Sequence, residues 1–105
     1  GKLAGGDAIG AICSDDIAKV LAKADVAIDF SRPEVTLAAL PIAIKNKTAL
    51  VIGTTGFDEK GKKAIADAAK KIPIVQAANM SLGVNVLLHL VELGAKTFHE
   101  NVDIE

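Results

Sequence analysis

Glycine and threonine residues follow a short apolar run in segment 51–57, VIGTTGF. A β-branched run that ends in Gly53, Thr54 and Thr55 is typical of a strand that passes into a polar loop. In an open α/β sheet, ligands bind outside the carboxyl ends of the strands. Gly53 would let a ligand approach the backbone, and the two threonines would offer it hydroxyl and amide groups. The segment is therefore predicted to contribute to a ligand site.

The same arrangement of an apolar run and a polar loop occurs twice more, in segments 28–33, IDFSRP, and 76–81, QAANMS. Because the carboxyl ends of parallel strands meet at one edge of a sheet, the three loops are expected to form one site. Arg32 could stack on an adenine, pair with a phosphate, or remain a surface charge without a ligand. Asp29 could bond a ribose, coordinate magnesium or cap the next turn, and capping is the favoured interpretation.

Segment 56–63, GFDEKGKK, is one residue short of the phosphate-binding pattern G-x-x-x-x-G-K-S/T. Lys63 replaces the hydroxyl residue that would hold magnesium, and Asp58 and Glu59 would bring carboxylates into the phosphate cradle. A helix capped by Asp58 and solvated by its lysines is the favoured interpretation. The dinucleotide fingerprint G-x-G-x-x-G does not occur in the sequence. Spacing alone predicts neither a catalytic residue nor a metal ligand.

Strands alternate with helices along the chain, which predicts a parallel sheet built from right-handed crossovers. Strands are predicted at 8–13, 26–30, 49–52, 73–75 and 102–105, and helices at 14–23, 31–45, 58–71 and 83–97. Pro41 is expected to kink or split the second helix. The inward-facing residues of the first and third helices are predicted to be Ile17, Val20, Leu21, Ala24, Ala64, Ile65, Ala68 and Ala69.

The composition is that of a small α/β domain, with half of the 105 residues apolar and three aromatic residues. A core of Ala, Val, Ile and Leu suits parallel strands with helices on both faces. The net charge of −1 gives no reason to expect a nucleic acid or an anionic membrane as partner. Cys13 lies in an apolar run and is expected to be a buried thiol, which fits a reducing cytosol. The chain is interpreted as part of a larger protein.

Three segments in register resemble 4-hydroxy-tetrahydrodipicolinate reductase, formerly called dihydrodipicolinate reductase. They are 28–34, IDFSRPE, 51–57, VIGTTGF, and 77–85, AANMSLGVN. The resemblance extends over residues 9–105 and implies an NAD(P)H-dependent reductase of lysine and diaminopimelate synthesis. It implies an incomplete Rossmann-like domain over residues 1–105, in which 102–105 begin the strand that leads to a second domain.

The resemblance also implies nine residues that contact the cofactor, NADH or NADPH. Those expected around the nicotinamide and its ribose are Gly53, Thr54, Thr55, Ala77, Ala78, Asn79 and Met80. Phe30 and Arg32 would lie near the adenine, with Arg32 stacking on it, and Thr55 would also contact the carboxylate of the substrate. Asn85 is expected to be structural.

The same resemblance places the family's glycine-rich first strand before Gly1 and its proton-donor segment after Glu105. The 105 residues alone are therefore expected to be inactive and to bind the cofactor weakly. The complete protein would be a cytoplasmic homotetramer that acts on a small-molecule substrate. A non-catalytic fold fragment is a second interpretation of the chain.

A phospho-receiver domain is the alternative from another functional class. It would use Asp15 and Asp16 for magnesium, Asp29 as the phosphate acceptor, and Thr54 or Thr55 as the switch hydroxyl. It would also need a lysine at the end of a later strand, where this sequence has Ala-Ala-Asn at 77–79. The reductase resemblance is therefore favoured.

Overall fold

The computed structural model describes residues 10, 11 and 13–98. Its elements are α1 (Ile17–Leu21), β1 (Val26–Asp29), α2 (Pro33–Asn46), β2 (Ala49–Ile52), α3 (Glu59–Ala69), β3 (Ile74–Gln76) and α4 (Leu82–Phe98). The three strands form one parallel sheet in the order β1-β2-β3. The predicted α/β class with a parallel, partial Rossmann-like sheet is confirmed.

Two of the predicted strands fall wholly or partly outside the described residues. The strand predicted at 102–105 lies outside them, as do residues 8, 9 and 12 of the strand predicted at 8–13. The remaining members of that segment, Gly10, Ala11 and Cys13, are not in a strand. Cys13 is exposed, so the prediction of a buried thiol is wrong. An apolar sequence run alone did not bury it, because burial also needs a partner surface.

One face of the sheet carries the hydrophobic core. Leu50 pairs with Ala27 on one side and Ile74 on the other, and all three belong to the core or pack against it. Helices α2 and α3 contact each other. Both crossovers step in the same direction across the sheet, and right-handed crossovers of that kind place their helices on the same face.

The opposite face of the sheet is open in the described part of the chain. Ile28, Val51 and Val75 pair across the three strands on that face, and Ile28 is 72% and Val75 60% exposed. The expectation of helices on both faces is therefore met on one face within the described residues. A second layer requires a crossover that steps in the other direction, and β1, β2 and β3 include no such reversal.

Helices α1 and α3 bury fewer of the predicted residues than expected. The predicted residues found buried are Leu21 on α1, and Ile65 and Ala68 on α3. Gly61 is buried as well, whereas Ala64 and Ala69 are exposed. Small residues left the helical phase of α3 ambiguous, and its contact with α2 determines which side is buried.

Helix α2 continues through Pro41 as one element, so the split does not occur, and the kink stays a prediction. The proline ring is exposed, while its neighbours Leu40 and Ala43 are in the core. Burial of that apolar face offsets the lost backbone hydrogen bond. The helix ends at Lys47, which has a left-handed φ of 58°, and Thr48 N donates to Ala43 O at 3.0 Å.

Helix α4 buries none of its residues. Its polar residues Asn85, His89, Glu92 and Lys96 recur at helical spacing, and Lys96 pairs with Glu92. Most of the remaining surface is apolar and exposed. No helix in the described part of the chain combines the length and apolarity needed to cross a bilayer.

Candidate functional site

Three loops follow the carboxyl ends of the strands and lie side by side. Gly53 N, which follows β2, donates a hydrogen bond to Asp29 O at 2.8 Å. Ala77 N, which follows β3, donates to Ile52 O at 3.2 Å. These backbone bonds extend the parallel ladder past the strand ends. The loops predicted to converge therefore start at one edge of the sheet.

The carboxylate of Asp29 connects the first two loops. Its Oδ1 accepts hydrogen bonds from Ser31 N at 3.0 Å and from Ser31 Oγ, and its Oδ2 accepts one from Thr36 Oγ1. Thr54 Oγ1 lies 3.2 Å from Asp29 Oδ1 and accepts a hydrogen bond from Ser31 N at 2.9 Å. Both carboxylate oxygens of Asp29 are thus engaged within the protein. This is the capping role favoured from the sequence.

Thr54 and Thr55 have different environments at this edge of the sheet. The side chain of Thr54 is buried and its hydroxyl is used by the Asp29 network. Thr55 is exposed and its side chain is accessible to a ligand. Spacing alone gave the two neighbours the same role, because the direction of each side chain depends on the turn that follows the strand.

Gly53 is in close contact with an aromatic ring. A Cβ atom built on Gly53 would overlap Cε1, Cζ and Cδ1 of Phe30. The group that approaches this backbone from the Cβ direction is therefore Phe30 itself, and contact of Gly53 with a cofactor stays a prediction. The ring of Phe30 is 69% exposed, so its outer side remains available for stacking.

A cleft of about 470 Å³ opens between the loops that follow β2 and β3. Its lining residues are Thr54, Thr55, Gly56, Phe57, Lys62, Gln76, Ala77 and Ala78. Four of the nine predicted cofactor residues are in this set. The small side chains of Ala77 and Ala78 leave room beside the backbone, and Gly56 turns the chain with a φ of 85°.

Lys62 brings a positive charge to the cleft, although its lysine cluster was expected to be solvated. Glu59 forms an ion pair with Lys62 at 2.7 Å, and this hydrogen bond raises the pKa of Lys62. The side chain is protonated at neutral pH and is one of the residues that line the cleft. The signal in the sequence that could have identified Lys62 was its position in the first turn of a helix. Asp58 caps that helix, because its Oδ1 accepts a hydrogen bond from Gly61 N at 2.7 Å.

The third loop is held by its own polar groups. Asn79 Oδ1 accepts a hydrogen bond from Ser81 N at 2.7 Å, and Asn85 Nδ2 donates to Asn79 O at 3.1 Å. Asn85 therefore has the structural role that was expected. Arg32, Asn79 and Met80 are exposed and do not line the cleft. Their contact with a cofactor stays a prediction.

Two of the acidic residues needed by the phospho-receiver alternative, Asp16 and Asp29, have other partners. Asp16 caps α1 by accepting a hydrogen bond from Lys19 N at 3.1 Å, and it pairs with Lys19 Nζ at 2.9 Å. The hydrogen bond from Lys19 lowers the pKa of Asp16. Together with the engaged oxygens of Asp29, this arrangement argues against a shared magnesium and phosphate site.

Comparison with protein families agrees with the geometry of this edge. The family model described as dihydrodipicolinate reductase, N-terminus, matches residues 1–80. The match covers all three strands and ends in the loop before α4. It includes every residue of the cleft and every predicted cofactor residue. The chain belongs to the family of dihydrodipicolinate reductase N-terminal domains, which are NAD(P)-binding domains of reductase type.

Proposed function

We propose that this chain carries part of the NADH or NADPH site of a 4-hydroxy-tetrahydrodipicolinate reductase. That enzyme reduces the dihydrodipicolinate precursor to tetrahydrodipicolinate in lysine and diaminopimelate synthesis. The observation that carries the proposal is the cleft at the carboxyl ends of β2 and β3, which is lined by Thr55, Ala77 and Ala78. We place the complete protein among cytoplasmic homotetramers.

The residues present are compatible with part of a nicotinamide nucleotide. The cleft volume of about 470 Å³ is within the range of small-molecule sites, and its small residues admit a flat ring. The nucleotide, when bound, supplies the hydride. Thr55 would orient the amide or ribose with its hydroxyl, and Lys62 would attract a phosphate or a substrate carboxylate. Phe30 and Arg32 present a ring and a guanidinium to which an adenine can stack.

A titration of the 105-residue chain with NADH and NADPH, followed by amide NMR shifts, tests the proposal. We expect weak binding, with a Kd on the order of 1 mM, because only part of the site is supplied. The perturbed amides should belong to segments 30–32, 53–57 and 77–80. The isolated chain should show no reductase turnover, and measurable turnover would contradict the proposed partial site.

Two isosteric variants make this experiment specific. Thr55→Val removes the exposed hydroxyl of the cleft and should weaken binding several-fold, by the loss of about one hydrogen bond. Thr97→Val removes an exposed threonine hydroxyl on α4 and should leave the Kd unchanged. Shifts confined to α1 or α4, or no shifts at all, would refute the proposal and favour a fold fragment that does not bind the nucleotide.

A further inference from the structure

We infer that Asp29 is a positioning residue for the cofactor edge, acting through the ring of Phe30. The inference rests on the proposed function, since it concerns the same site. Asp29 itself has its carboxylate engaged by Ser31 and Thr36 and does not need to contact a ligand. Its role is to hold the loop after β1 against the loop after β2.

The backbone of Phe30 is held on both sides by bonds to the second loop. On the N-terminal side, Asp29 O accepts from Gly53 N at 2.8 Å. On the C-terminal side, Ser31 N donates to Thr54 Oγ1 at 2.9 Å and to Asp29 Oδ1 at 3.0 Å. The Asp29 carboxylate aligns Ser31 for the second of these contacts. Phe30 is thereby fixed where its ring lies on Gly53.

The network also fixes the start of α2. Thr36 Oγ1 donates to Asp29 Oδ2 and lies 3.3 Å from Arg32 O. Thr36 is 1% exposed, so its hydroxyl has to be satisfied inside the protein. Loss of the carboxylate would remove one of the hydrogen-bond partners of Ser31 N and one of those of Thr36 Oγ1. The positions of Phe30 and Arg32, the two residues predicted near the adenine, would then no longer be set relative to Gly53.

The network directs the backbone from which the Phe30 ring projects. The ring is mostly exposed, so its apolar contact covers the smaller part of its surface. Hydrogen bonds to a charged acceptor are stronger than neutral ones and geometrically directed. A mobile ring would have to be ordered when an adenine stacks on it, which costs affinity. A ring that Asp29 has already positioned avoids that cost.

The experiment measures the nuclear Overhauser effect between the Phe30 ring protons and the Gly53 α-protons, first without nucleotide. In the parent chain this effect should be strong. In Asp29→Ala and in Thr54→Val it should be lost or greatly weakened, and Thr54→Ser should restore it. Asp25→Asn, at the opposite end of β1 and exposed, is the control and should leave the effect unchanged. If Asp29→Ala does not fold, the comparison of Thr54→Val with Thr54→Ser tests whether the network positions the Phe30 ring.

The second arm measures NADH affinity for the same variants. Asp29→Ala should weaken binding about tenfold, the factor expected for losing charge-assisted hydrogen bonds that order the loop. An unchanged Phe30–Gly53 effect in Asp29→Ala and Thr54→Val would overturn the inference, whatever the affinities are. A parent chain that shows the effect but binds no NADH would overturn the proposed function and leave Asp29 as an organiser of the loop. The two failures are therefore distinguishable.

Discussion

Replacement of Gly53 by alanine tests the close packing of Phe30 against the second loop. The new methyl group would occupy the position of the Phe30 ring, so the ring must move outward. Phe30 is 69% exposed, so moving its ring into solvent would expose the part of its surface that is now buried. With a side chain of roughly 200 Å², this is about 60 Å², or about 1.5 kcal/mol of apolar burial. Alanine also lowers the conformational entropy of the unfolded chain, which stabilises the variant by about 0.4–1 kcal/mol.

The expected net result for Gly53→Ala is a destabilisation of about 0.5–1 kcal/mol. The assay is urea unfolding followed by circular dichroism, because the chain has no Trp or Tyr for fluorescence. The decisive comparison repeats the substitution in a Phe30→Ala background. With the ring removed, Gly53→Ala should become neutral or stabilising. The same loss of stability in both backgrounds would refute the proposed contact.

Two further predictions concern the ends of helices. Lys47→Gly should stabilise the chain by about 0.5–1 kcal/mol in urea unfolding, because Lys47 has a left-handed φ of 58° that glycine adopts without steric cost. A loss of stability would show that the contacts of the lysine side chain contribute more than the relief of backbone strain. The pKa of Asp16 is lowered from 3.8 by its hydrogen bond from Lys19, so its contribution to α1 should be present above pH 3.8 and be lost as the pH falls through the lower, folded pKa. An NMR titration of the Asp16 side chain measures this, and Lys19→Met should return the midpoint towards 3.8.

Local signals in the sequence identified most of the secondary structure. The predicted strand at 49–52 coincides with β2, the one at 26–30 is one residue longer than β1, and the one at 73–75 is shifted by one residue from β3. Asp58 caps the helix that it was predicted to cap. These features depend on a few neighbouring residues, since a cap satisfies backbone groups within its own first turn. The three motif segments could be identified from the sequence because they too are short runs of neighbouring residues.

The sequence by itself determined the α/β class, the family and the three loops that meet at the carboxyl edge of the sheet. The tertiary structure decided how those loops are used. It engaged both oxygens of Asp29, buried Thr54 while exposing Thr55, placed Phe30 on Gly53 and brought Lys62 to the cleft. It also showed that α2 and α3 share one face. These outcomes depend on strand order and on contacts between residues far apart in the chain, whose free energies are set by packing and not by any single local pattern.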